Sequence, residues 1–61
     1  MNFRCINNTG FEMLLTVGKI YRGKYEDEEY LWIEYKTFVR VYNCDDGTYG
    51  IFKASRFEVV E

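Results

Sequence analysis

The chain has 61 residues, 48% of them hydrophobic and 20% aromatic, with a formal net charge of −2. This length allows one domain, 1–61, and a domain so short buries only about 60% of the surface that its unfolded chain exposes. The composition excludes disorder, and the mildly acidic balance argues against a general nucleic-acid binder, which carries a basic excess.

The aromatic residues answer the size problem, since each ring can bury about 150–250 Å². No stretch approaches the ~18 apolar residues of a membrane span, and no apolar run of signal-peptide length is visible near residue 1. Cys5 and Cys44 are too few to staple a secreted domain, and histidine is absent. The expectation is a cytoplasmic protein with two reduced thiols.

In chain order, Phe3 to Asn7 reads as a short strand, and Asn7-Asn8-Thr9-Gly10 as a turn. Phe11 to Thr16 reads as a loop pinned by apolar side chains, and Val17 to Glu26 as a second strand. The acidic run Glu26-Asp27-Glu28-Glu29 then reads as a solvated turn. Tyr30 to Tyr35 alternates roughly and fits either an extra strand or an ordered loop. Phe38 to Asn43 is the clearest strand, with Val39 and Val41 on one face and Phe38, Arg40 and Tyr42 on the other. Asp45-Asp46-Gly47 is a hairpin signal. Thr48 to Phe52 returns as a strand, Lys53 to Arg56 suits one 3₁₀ turn, and Phe57 to Val60 closes the chain as a fifth strand. Five short strands without helical periodicity predict a small closed or nearly closed all-β barrel.

Gly50-Ile51-Phe52-Lys53-Ala54-Ser55-Arg56-Phe57 resembles the end of an SH3 domain, and the resemblance runs ungapped from Phe38 to Phe57. Leu15-Thr16-Val17-Gly18-Lys19 resembles the SH3 segment that leads into its second strand. The resemblance implies a five-stranded SH3-like barrel with a single 3₁₀ turn before the last strand, and places Val41, Phe52 and Phe57 in the core. Gly23 departs from it, standing where SH3 domains bury an aliphatic residue, so that a bulge or a neighbouring aromatic is expected to fill the space.

Four pieces, Cys5 to Asn8, Leu15 to Tyr21, Asp45 to Gly47 and Ser55 to Glu58, also resemble short uncharacterised proteins of phages and prophages of Gram-positive bacteria. That resemblance implies a phage accessory role in the cytosol of a bacterial host, with no known chemistry.

Catalysis finds little support in the residues. Without histidine the commonest general acid–base and the usual partner of a Ser or Cys nucleophile are missing. Cys5 and Cys44, 39 positions apart, give no zinc-ligand spacing. Asp45 and Asp46 read as hairpin residues rather than as a carboxylate pair. No cofactor is expected: Gly18-Lys19 alone is no phosphate loop.

Binding is better supported. In the SH3 register the groove Trp becomes Phe38, the Pro becomes Lys53 and the last Tyr becomes Arg56, so a polyproline ligand is not expected. With Tyr30 and Trp32 in the intervening loop, Tyr30, Trp32, Phe38, Lys53 and Arg56 form the candidate partner-binding patch, since aromatics and Arg dominate binding hot spots. The expected partner is a host protein. Nucleic acid, through Lys19, Arg22 and Lys24, and a homodimer built on an edge strand are the alternatives.

Overall fold

The computed structural model describes residues 1–26 and 36–61. Five strands run in the order expected: β1 (Asn2–Cys5), β2 (Ile20–Tyr25), β3 (Phe38–Val41), β4 (Gly50–Lys53) and β5 (Phe57–Val60), with a 3₁₀ turn at Ala54–Arg56. They form one antiparallel sheet in the order β4-β3-β2-β1-β5. The end strands β4 and β5 meet through the rings of Phe52 and Phe57, 6.2 Å apart, so the sheet curls into a small SH3-like barrel.

Alternation explains the strands. Phe3 and Cys5 of β1, Tyr21 of β2, Val39 and Val41 of β3, and Phe52 of β4 point inward and are buried, while most of their strand neighbours are half-buried or exposed. Phe57 adds a ring from β5, Leu15 is fully buried from the 6–19 loop, and Cys44 closes the core from the β3–β4 hairpin. Full burial of a Val, Leu or Phe side chain contributes about 1.5–3 kcal/mol, and edge-to-face rings link Phe3 to Phe57 and Phe11 to Phe52. Both thiols are free and buried.

β2 is shared by the two halves of the barrel. Its first three residues pair with β1 (Phe3 opposite Tyr21) and its last three with β3 (Gly23 opposite Val41). At that crossover the strands approach so closely that a Cβ on Gly23 would stand 2.2 Å from the Arg40 carbonyl oxygen. The sequence-based expectation that a bulge or an aromatic fills space at Gly23 is therefore corrected: the neighbouring backbone itself occupies the space. Gly47 serves a different need, adopting φ 86° in the hairpin, where its N–H donates to the Cys44 carbonyl.

Several boundaries differ from the expected ones. β1 ends at Cys5, because the N–H groups of Ile6 and Asn7 both turn to the Arg56 carbonyl, at 2.7 and 3.2 Å. β2 begins only at Ile20, since Val17 and Gly18 form a turn closed by the Lys19 N–H on the Thr16 carbonyl, while the Gly18 N–H donates to the Cys5 carbonyl. β4 starts at Gly50 rather than Thr48, whose N–H and hydroxyl are held by the Asp46 carboxylate. Glu26 is not part of a solvated turn: it is 7% exposed, its N–H donates to the Phe38 carbonyl, and Arg40 clamps its carboxylate. The strand or loop expected at Tyr30 to Tyr35 lies outside the described residues.

Candidate functional site

The outer face of β2, β3 and β4 is a grid set by strand register. Lys24 lies opposite Arg40, which lies opposite Ile51. On one side of that row, Phe38 lies opposite Lys53, with Glu26 bonded to the Phe38 backbone. On the other side, the Tyr42 N–H donates to the Arg22 carbonyl, and Tyr49 lies close enough for the Arg40 guanidinium to sit 5.5 Å from its ring centre. The inward members of these strands are the core residues, which is why the remaining side chains gather here.

This face is exposed and cationic. Tyr42 is 49% exposed, Tyr49 67% and Ile51 42%. Arg22, Lys24 and Lys53 are exposed, with no ion-pair partner among the described residues. Arg40 is committed: its Nε and Nη2 donate to the two Glu26 carboxylate oxygens at 2.8 and 3.2 Å. That two-pronged contact to Glu26 raises the Arg40 pKa further and fixes the guanidinium as a packed element of the row.

Of the five residues expected from sequence, Phe38 and Lys53 face each other across β3 and β4. Arg56 is directed at the 6–19 loop, its guanidinium 4.7 Å from the Phe11 ring centre and donating to the Asn7 carbonyl. Tyr30 and Trp32 lie outside the described residues. The same face also carries Arg22, Lys24, Tyr49 and Ile51, and period-2 alternation through Ile20-Tyr21-Arg22-Gly23-Lys24 turns Arg22 and Lys24 outward. Lys19, grouped with them by sequence, precedes β2 and is bound elsewhere.

Its partner is Asp45, which exceeds the hairpin role that its sequence suggested. Thr16 Oγ1 donates to one carboxylate oxygen at 2.6 Å, while Lys19 Nζ and the Tyr21 hydroxyl donate to the other at 2.8 Å each. The Tyr21 hydroxyl in turn accepts from the Thr16 N–H at 2.7 Å. The Lys19 contact, with those of Thr16 and Tyr21, lowers the Asp45 pKa from 3.8 to about 2. Burial raises that of the Tyr21 phenol. Burial also pushes the Cys44 thiol up, assisted by Asp46 and Asp45, so it carries less thiolate than a free cysteine.

The segments Cys5 to Asn8, Leu15 to Tyr21, Asp45 to Gly47 and Ser55 to Glu58 are tied together by hydrogen bonds. Asp45 holds Thr16, Lys19 and Tyr21; Asn8 Nδ2 donates to the Leu15 carbonyl; and the Arg56 carbonyl receives Ile6 and Asn7.

Between the start of β2 and the hairpin lies an open groove of about 510 Å³, with Ile20, Arg22, Tyr42 and Asn43 on its walls and Cys44 and Tyr21 among its lining. Among the described residues, no group of three or more His, Cys, Asp or Glu is placed to hold a metal ion, and no helix is long and apolar enough to cross a membrane. No family model, curated protein or solved structure matches the chain.

Proposed function

We propose that the chain is a non-catalytic protein-binding module whose docking surface is the outer face of β2, β3 and β4. The observation that carries this reading is the cluster of exposed Tyr42, Tyr49 and Ile51 beside exposed cations. Aromatic anchors ringed by polar residues have the anatomy of an interface core and rim. Phe38 and Lys53 belong to this surface by register. The resemblance to short phage and prophage proteins supports an accessory role in the bacterial cytosol, docking on a host protein and modulating it.

The test is capture from a bacterial lysate with the tagged chain, followed by affinity measurement with the purified partner. A Tyr42→Ser, Tyr49→Ser variant with unchanged circular dichroism is expected to bind at least about tenfold more weakly, equivalent to about 1.4 kcal/mol. Equal affinity refutes the assignment of the face. Light scattering over a concentration series separates this reading from a homodimer: concentration-dependent doubling of mass, lost in the same variant, would make the partner a second copy.

A further inference from the structure

We infer that the partner engages this face through an acidic protein segment that seats an apolar side chain in the groove beside Arg22. The inference rests on the protein-binding reading above. Its basis is the uneven distribution of charge. The whole chain is net negative, yet Arg22, Lys24 and Lys53 have no ion-pair partner among the described residues of this face. Among the described residues of its three rows, the carboxylate of Glu26 is already bound to Arg40. A partner surface complementary to this face therefore carries carboxylates.

A nucleic acid offers anions too, but the aliphatic residues of this face favour a protein segment. Ile20 and Ile51 are half exposed among the cations. Tyr42 and Tyr49 are rings of the kind on which single-strand binders stack bases, but branched aliphatic side chains offer a base no stacking surface and a phosphate no hydrogen bond, whereas a protein segment can use both. The open groove of about 510 Å³ has Ile20 and Tyr42 as apolar walls and Arg22 as a cationic one, with Lys19 and Asp45, bound to each other, also in its lining, and this volume suits a cleft that receives a small group. An apolar side chain flanked by carboxylates satisfies both walls. Lys24 and Lys53 lie further along the face, where an extended acidic segment can reach them.

The experiment titrates the isotopically labelled full chain with three probes at fixed salt: a Glu/Tyr copolymer, polyglutamate and oligo(dT). Amide shifts are read by NMR. The copolymer is expected to perturb β2, β3 and the hairpin, and to bind at least tenfold more tightly than either other probe. Arg22→Gln, Lys24→Gln, Lys53→Gln is expected to lose at least tenfold. A control carrying Met13→Glu, Val17→Glu and Ser55→Glu, which lowers net charge equally away from this face, is expected to stay within twofold.

Tighter binding of oligo(dT) overturns the inference in favour of a nucleic-acid platform, for which three phosphate contacts predict about a 20-fold loss between 50 and 200 mM salt. No copolymer binding, or an unaffected Gln variant, also overturns it. If a lysate partner is nevertheless lost on Tyr42→Ser, Tyr49→Ser and kept by the Gln variant, the acidic-segment inference fails while the protein-binding reading stands.

Discussion

Replacing Gly23 with alanine isolates the closest backbone approach in the barrel. The new Cβ would stand 2.2 Å from the Arg40 oxygen, 3.2 Å from its carbonyl carbon and 3.4 Å from the Val41 Cα, all main-chain atoms of β3. No rotamer can relieve the contact. To restore ordinary separation from the oxygen, the strands must part by about 1.2 Å, and a gap of about 0.5–1 Å already forfeits a quarter to a half of a dispersion contact. The residues that lose contact, Val39 and Val41, are fully buried. Overpacking of this kind costs about 1–3 kcal/mol, and rigid main-chain partners put it at the upper end.

A chain of this length has a total stability of only about 3–9 kcal/mol. A cost of about 3 kcal/mol lowers Tm by about 12–24 °C in so small a domain. Thermal unfolding followed by circular dichroism measures this, with Gly47→Ala as the comparator. Gly47 has nothing within 4 Å of its added Cβ and suffers only the positive φ, a strain of about 1–2 kcal/mol. Gly23→Ala melting at or above Gly47→Ala would show that the reasoning from close approach is wrong.

Tyr21→Phe removes the hydroxyl that links the Thr16 N–H to Asp45; urea unfolding is expected to show a loss of about 1–3 kcal/mol. Asp45, lowered to about 2 from an ordinary 3.8, contributes stability that is complete above pH 3.8 and lost as pH falls through about 2. Asp45→Asn should therefore flatten the dependence of Tm on pH between those values, and a curve as steep as wild type would discount the network. Cys5 and Cys44 are 0% and 4% exposed, so a disulfide reagent at pH 8 should label neither until denaturant is added. Labelling within seconds of mixing would contradict their burial.

The strands were legible wherever alternation and a turn signal agreed. Phe38 to Val41 and the Asp45-Asp46-Gly47 hairpin needed only period 2 and a residue tolerant of positive φ. Boundaries were not legible, because they depend on distant carbonyls: Arg56 captures the amides that would have extended β1 to Asn7. Glu26 was misread for a similar reason. Nothing local in an acidic run indicates that its first member will meet an arginine 14 residues away.

The candidate site was half visible. Phe38 and Lys53 emerged from the SH3 register, while Arg22, Tyr49 and Ile51 join them only because the sheet order sets β2, β3 and β4 side by side. Arg56 looked like a patch residue by register, but the Phe11 ring and the Asn7 carbonyl engage its side chain. Asp45 gave no hint of its reach, since its three side-chain donors lie 24 to 29 positions away.

The sharing of β2 between β1 and β3 bears on how the molecule opens. Neither half can detach and keep its hydrogen bonds, since each depends on the same six-residue strand. Partial unfolding that begins at β4 or β5 can spare β2, but loss of β2 dissolves both halves together. Its central amides should exchange with solvent deuterium only through global unfolding, at the full free energy of the domain. A ligand on the outer face that is absent from the unfolded chain would then slow that exchange in direct proportion to its occupancy term, giving a readout of binding from a strand whose backbone it need not touch.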